Sequence, residues 1–226
     1  MQYEQVVPAR FIARPNRFIA LVEMGGEEVV CHVKNTGRCR ELLIPGATVF
    51  AAVASNPNRK TKYDVIAVRK GTRIVNIDSQ APNQLFAEWV YRSGLFQDII
   101  QIRPETTYKS SRFDFYIEAD GKKIFAEIKG VTLEQENAVF FPDAPTERGV
   151  KHMRELIACK EAGYEAYVVF VVQMRDVLYF SPNDSMHPAF GNALREAEKA
   201  GVHVLAVDCD VTEKEIEICE FVHVQL

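Results

Sequence analysis

The chain has no apolar run longer than Ala166 to Val172, far below the ~20 residues a membrane-spanning helix requires, so no helical membrane anchor is expected. Its first residues, Met1-Gln2-Tyr3-Glu4, lack the basic stretch and apolar core of an export signal, which points to a cytoplasmic location. Cysteine is sparse. Cys31, Cys39, Cys159, Cys209 and Cys219 are odd in number and never stand at the short paired spacings of zinc sites, which excludes a disulfide framework and a cysteine-built metal centre. Unpaired, mostly buried thiols are expected instead. Internal repeats and low-complexity tracts are also missing.

What is present is the composition of a folded protein. Hydrophobic residues make up 47% and charged residues 26%, enough apolar matter to bury a core and too much for a disordered chain. A length of 226 residues suits two modest domains, since one core usually serves roughly 100 to 200 residues. The net charge of −4 hides an asymmetry: residues 1 to 80 hold 12 Lys and Arg against 7 Asp and Glu, leaving 15 against 24 for residues 81 to 226. A basic module joined to an acidic one suits a protein whose first part grips a polyanion while the second gathers carboxylates around a metal.

The two parts also differ in pattern. Up to about Ser79 the chain shows short β-branched or alternating runs, at Arg17 to Glu23, Glu28 to Val33, Thr48 to Ala54, Tyr63 to Arg69 and Thr72 to Ile77. Gly25-Gly26, Pro45-Gly46, Asn56-Pro57-Asn58 and Lys70-Gly71 separate them as turns. Closely spaced strands of this kind predict a small β-barrel over residues 1–80. A short helix is expected at Gly37 to Leu43 with Thr36 as its N-cap, its amino end free to cradle a phosphate. The cations Arg14, Arg17, Lys34, Arg38, Arg40, Arg59, Lys60 and Lys62 fall mostly at strand ends and in loops, where a barrel would meet a nucleic-acid backbone. For any one of them, solvation alone is the competing explanation.

After Ser79-Gln80-Ala81-Pro82 helices alternate with strands over residues 81–226. Helices are expected at Asn83 to Ser93, Thr146 to Ala162 and Pro188 to Ala200. Strands are expected at Ile99 to Arg103, Arg112 to Glu118, Lys123 to Lys129, Ala138 to Phe141, Ala166 to Val172 and His203 to Asp208. This order predicts an α/β domain with a mixed sheet, making the whole chain α+β. Asp120-Gly121 marks a hairpin between the second and third strands.

Alternation along that hairpin carries the chemistry. Phe113, Phe115 and Ile117 share one strand face, taken as the core, while Arg112, Asp114, Tyr116 and Glu118 share the other. On the next strand Glu127 and Lys129 point away from Ile124, Ala126 and Ile128. Asp114, Glu127 and Lys129 are therefore expected on one face near the sheet's open end. Two carboxylates supply hard oxygen ligands for Mg²⁺ or Mn²⁺, and a lysine beside the scissile phosphate stabilises developing charge or handles a proton of the attacking water. Against this stands a plainer possibility, an i,i+2 charge pair on a wet strand contributing ~0.2 to 1 kcal/mol. Arg148 and His152, at i,i+4 spacing in the segment Phe141 to His152, project from one helical face. They are expected to contact phosphate if that face overlooks the site, and His152 is otherwise an ordinary surface histidine. Asp143 is a candidate helix cap, with Pro145 in the first turn.

Asp114, twelve residues, then Glu127-Ile128-Lys129 on a hairpin resembles the PD-(D/E)XK nuclease superfamily, with Phe113 where the motif names proline. In the resembled nucleases a glutamate of the first helix supplements the metal site, which implies a ligand role for Glu88. The strings His32 to Leu42 with Pro45-Gly46, Arg112 to Phe115, Glu127 to Gly130 and Phe141 to His152 together resemble the sugar fermentation stimulation protein family. That resemblance implies an N-terminal OB-fold, a C-terminal PD-(D/E)XK nuclease-like domain and DNA binding with little sequence preference. It also implies a link to the regulation of sugar, notably maltose, metabolism.

Three functions therefore compete. The first is a Mg²⁺- or Mn²⁺-dependent nuclease acting on DNA, with RNA also open as a substrate. The second is a non-catalytic, sequence-nonspecific DNA-binding regulator built on a nuclease-like fold. The third is a structural trio beside a barrel that binds a protein or small ligand. Two carboxylates placed where a phosphate must sit favour the enzyme, because a cation resolves their repulsion. Free strand edges permit a homodimer.

Overall fold

A computed structural model describes residues 1–54, 56 and 58–226; Pro57, one of the expected turn residues, lies outside the described residues. The first sheet is formed by β1 (Val6–Asn16), β2 (Ile19–Met24), β3 (Glu27–Val33), β4 (Thr48–Val53), β5 (Tyr63–Lys70) and β6 (Arg73–Asn76). Its order is β3-β2-β1-β4-β5-β6, and a parallel pairing of β3 with β5 closes five of these strands into a barrel. Inward-facing Phe11, Ala20, Val22, Cys31, Val33, Val49, Val65 and Val68 are buried in its centre, as the two-residue period of a strand with one wet face requires.

The expected helix after β3 does not form. Cys39 adopts φ +44°, a left-handed conformation that interrupts a right-handed helix. The amides of Leu42 and Leu43 both turn back to the Cys39 carbonyl. This single turn is held by its apolar side chains, since Cys39, Leu42 and Leu43 are all buried. Nor is its amino end open to phosphate: the Gly37 amide donates to Asn35 Oδ1 at 2.7 Å and the Arg38 amide to Asp143 Oδ2 at 2.8 Å.

The chain then enters α1 (Ala81–Trp89), with Pro82 in the first turn where a missing amide costs nothing. There follow β7 (Ile99–Tyr108), β8 (Ser111–Ala119), β9 (Lys122–Val131), β10 (Leu133–Gln135), β11 (Ala138–Phe141), α2 (Glu147–Glu161), β12 (Glu165–Val172), β13 (Tyr179–Pro182), α3 (Pro188–Lys199), β14 (His203–Val211) and β15 (Ile216–Val224). These strands make one mixed nine-stranded sheet in the order β10-β11-β13-β15-β14-β12-β9-β8-β7. At its centre β9, β12 and β14 run parallel, and β12 is buried almost throughout, which explains its continuous apolar run. Strands β1, β10, β13 and β15 were not anticipated from sequence.

Both faces of this sheet are covered. Leu85, Phe86 and Trp89 of α1 pack on Phe115, Ile117, Ile124, Ala126 and Val169. On the other side Met153, Leu156 and Cys159 of α2, with Phe190 and Leu194 of α3, pack on Phe113, Phe125, Val168 and Phe170, and this cluster continues without a break into the barrel interior. The hairpin face expected to be polar is therefore a second core, with Tyr116 and Phe125 buried in it. Among the described residues no helix is long and apolar enough to cross a membrane. Cys31, Cys39, Cys159 and Cys209 are buried unpaired thiols, and Cys219 is exposed.

Candidate active site

Strands β8 and β9 pair in register from Ala119↔Lys122 to Phe115↔Ala126, where the pairing ends. At that point Asp114 takes over. Its Oδ2 accepts the Ile128 amide of β9 at 2.7 Å, replacing the backbone acceptor that the diverging strand withdraws, and its Oδ1 accepts Asn83 Nδ2 of α1 at 2.9 Å. The side-chain period slips here too: Phe115 packs toward α1, whereas Phe113 packs toward α2. Asp114 thus sits in the fork between two strands, half-buried, and does not simply share a face with Tyr116 and Glu118.

Glu127 lies on the α2 side of β9, only 2% exposed. Its Oε1 accepts from both Lys129 Nζ and His152 Nδ1. Arg148 Nε donates to His152 Nε2 at 3.3 Å, so the ring presents its proton at Nδ1, toward the carboxylate. Glu127 Oε2 is enclosed and has no hydrogen-bond partner among the described residues. A buried carboxylate oxygen left bare is costly, and a wet-strand charge pair does not produce one. The plain surface-pair reading therefore fails on burial: β9 is an interior strand between β8 and β12.

The electrostatics separate the two acids. Burial, then the neighbouring Glu127 charge, pushes the Asp114 carboxyl above its ordinary range, against the Ile128 amide, Lys129 and Asn83. Burial also works against ionising Glu127. There the His152 hydrogen bond and the Lys129 charge prevail and hold the carboxyl below its usual value. One acid is thus firmly anionic and the other resists ionisation beside it, an arrangement that an incoming cation relieves.

Several expected site residues serve other ends. Glu88 is not brought to this group: it is exposed, accepts from Gln84 and pairs with the Met1 ammonium at 3.0 Å. Asn83 is the α1 residue that reaches Asp114. It stands three positions before Phe86 on the apolar stripe, and a polar side chain at that register was the available sequence signal. His152, 3% exposed, orients Glu127 and is no surface phosphate contact, while Arg148 beside it is exposed. Asp143 does not cap α2; Thr146 does, accepting the Gly149 amide at 3.0 Å.

On the barrel, Arg14 is committed to structure, donating to the backbone carbonyls of Arg17, Asn35, Gly37 and Arg38 at 2.6 to 2.8 Å. Lys34 lies 3.6 Å from Asp64 and 3.5 Å from Asp78, and Arg59 pairs with Asp64. Arg17, Arg38 and Arg40 are exposed. Between barrel and sheet opens a cleft of about 370 Å³ whose walls include Arg17, Thr36, Gly130, Phe140 and Asp143. Gly130 directly follows Lys129 in β9 and is the cleft's nearest lining residue in the chain to the acid-acid-lysine group, whose own side chains do not line it.

The donor set decides which cation suits it. Among the described residues no group of three or more His, Cys, Asp and Glu side chains converges on one point, which does not fit the closed site of a structural zinc. Asp114 and the bare Glu127 oxygen fit Mg²⁺ or Mn²⁺, since Mg²⁺ is commonly held by one or two carboxylates with water and phosphate oxygens completing its shell.

Comparison with known proteins agrees with this architecture. The family model "SfsA N-terminal OB domain" matches residues 12–77 and "Sugar fermentation stimulation protein RE domain" matches residues 80–215. A sugar fermentation stimulation protein homolog of Desulfitobacterium hafniense (strain Y51) is 59% identical over 226 residues, covering 100% of this chain and 99% of that one. The homolog of Clostridium beijerinckii is 56% identical over 226 residues, with 100% of both chains covered. The solved structure of Pyrococcus furiosus SfsA in complex with Ca²⁺ superposes with a TM-score of 0.91 at 27% identity, covering 100% of this chain and 98% of the other.

Proposed function

This chain belongs to the sugar fermentation stimulation protein family, and from that premise and the geometry of the strand fork we propose that it is a divalent-cation-dependent nuclease that hydrolyses phosphodiester bonds in DNA. The observation that carries the proposal is the enclosed, unpartnered Glu127 Oε2 beside a second carboxylate whose ionisation is resisted. The Ca²⁺ in the Pyrococcus relative supports a hard-cation site in this fold; Mg²⁺ or Mn²⁺ is the proposed catalytic ion here.

Each residue has a task. Asn83 and the Ile128 amide fix the Asp114 carboxylate at the fork, while His152 and Lys129 fix Glu127 by one oxygen and leave the other unpartnered. Lys129, its side chain 16% exposed, holds its ammonium against Glu127. There it stabilises charge developing on the phosphate and orients the attacking water. When bound, the cation polarises a nonbridging phosphate oxygen and lowers the pKa of a coordinated water. Arg17, Arg38 and Arg40 on the barrel, with Arg148 at the start of α2, neutralise the flanking backbone.

Labelled DNA incubated with the purified chain and Mg²⁺ or Mn²⁺ is expected to be cut, with chelator abolishing the products. Asp114→Ala, Glu127→Ala and Lys129→Ala are each expected to lower the rate by 100-fold or more, on the order of losing one transition-state contact. Cleavage that persists in all three variants places the activity elsewhere. DNA binding without cleavage under any cation makes the chain a non-catalytic regulator on a nuclease-like fold.

A further inference from the structure

The cleft between barrel and sheet is not isolated. A second cavity, of about 290 Å³, shares Leu133, Phe140 and Asp143 with the first and opens past Arg38 and Arg40. Through these shared residues the two make one trough in series along the barrel wall, with Gly130, the residue after Lys129 in β9, on its first chamber. Each chamber lies near the lower end of the roughly 300 to 1,000 Å³ of pockets that enclose small ligands. That is room for one nucleotide at a time, and too little for a base pair with both its backbones.

The walls have unequal chemistry. The barrel side brings Arg17 to the first chamber and Arg38 and Arg40 to the second. All three are exposed, and among the described residues none has a carboxylate within ion-pair distance. Arg14 ties together the two loops that present them, donating to the carbonyls of Arg17 in the β1–β2 turn and of Asn35, Gly37 and Arg38 after β3. The opposite wall offers the ring of Phe140, half-buried and common to both chambers. Two acids also line the trough. Asp143 accepts the Arg38 amide, and burial pushes the Glu41 carboxyl up toward its neutral form.

A cationic track that follows a backbone, with an aromatic face for unstacked bases, is how nucleic acid is held as a single strand. We infer that the trough seats a single strand, at least two consecutive nucleotides long, and feeds it to the acid-acid-lysine group. The substrate is then a single-stranded segment or an unpaired end. This rests on the nuclease reading above, deepening it from nucleic acid in general to one strand.

Fluorescence polarisation with labelled oligothymidylate, oligouridylate and a blunt duplex of the same length tests it, in parallel with Mg²⁺-dependent cleavage of the same molecules. Wild type is expected to bind the single strands at least about tenfold tighter than the duplex. Phe140→Leu, which keeps apolar volume but removes the stacking face, is expected to weaken single-strand binding about tenfold, with Phe140→Tyr restoring it. The paired change Arg38→Ala with Arg40→Ala should flatten the salt dependence by roughly 0.7 log unit per lost phosphate contact. Comparison of the two oligonucleotides reports whether DNA or RNA is preferred. Single-strand binding that is unchanged in Phe140→Leu and in the arginine pair overturns the trough. If Lys129-dependent cleavage of duplex continues in those variants, the trough falls and the nuclease stands. If no cleavage occurs but Phe140→Leu loses single strands, the trough stands and the nuclease reading falls.

Discussion

Asp64 and Asp114 are enclosed carboxylates whose surroundings act in opposite directions. Burial opposes ionisation of Asp64, but hydrogen bonds from Arg59 and His32 and the Lys34 charge outweigh it and depress its carboxyl below the ordinary value. For a depressed acid, the stabilisation is present above the unfolded-state value, ~3.9, and is lost as pH falls through the lower folded value. Asp64→Asn is therefore expected to cost about 3 kcal/mol at neutral pH, the low end for a broken buried pair because its partners remain about a third exposed. It is also expected to flatten the loss of stability below about pH 4. Urea midpoints at pH 7 and pH 3 check both, and equal losses at the two pH values refute the assignment. Asp114 is the reverse case, since its ionisation is resisted by burial and by Glu127. Asp114→Asn removes that repulsion while an amide oxygen still accepts the Ile128 amide. The expected outcome is a melting temperature in cation-free buffer equal to or above that of wild type, with cleavage abolished. A marked loss of stability would mean that the carboxylate is structural.

At the scale of elements, the site depends on how β9 ends. A Cβ at Gly130 would lie 2.6 Å from Gln173 Oε1 and 2.8 Å from Pro82 Cγ. The strand is tied there to β12, with Val171 opposite Gly130. Gly130→Ala is expected to cost about 1 to 3 kcal/mol by overpacking and to slow cleavage by shifting Lys129. A chemical denaturation series measures the first and turnover the second, and a neutral substitution would show that β9 yields more easily than its pairing implies. The same strand shows what sequence can and cannot convey. Glu127 and Lys129 were legible as a pair because Ile124, Ala126 and Ile128 alternate with them. The position of Asp114 was only half legible: its partnership with Glu127 was, but the slip between Phe113 and Phe115 arises where two strands part, which no local pattern records. Strands β12 and β14 were readable from β-branched runs. By contrast β1 carries Pro8, Pro15 and two arginines, β10 and β13 are three and four residues long, and β15 mixes acids with apolar residues; these owe their state to neighbours. Glu88 was misplaced because helical position alone does not say which side meets the site, whereas Asn83 on the stripe with Phe86 carried that information.

Across the whole molecule, barrel and sheet share one apolar cluster, running from Phe11 and Val22 to Phe170 and Leu194. A polar hub seals the join. Gln173, Asn76 and Asp78 are each 1% exposed; Gln173 Nε2 donates to Asn76 Oδ1 at 2.8 Å and to the Asp78 carbonyl at 3.0 Å, and the Asn76 amide returns to the Gln173 carbonyl. Separating barrel from sheet would expose apolar surface and strip these groups of partners together, so the two are expected to unfold in one cooperative transition. Trp89, the single tryptophan, packs on the sheet with α1 and reports that part; amide exchange in β2 and β4 reports the barrel. Both should give the same unfolding free energy. Gln173→Leu, which leaves Asn76 and the Asp78 carbonyl without their partner, should lower both by the same amount, about 1 to 3 kcal/mol. Barrel amides that exchange through a separate, lower-energy opening would instead mean that the trough wall moves independently of the catalytic group. The spacing between Lys129 and the barrel arginines would then vary from molecule to molecule, and a strand seated in the trough would not be held in register with the scissile position.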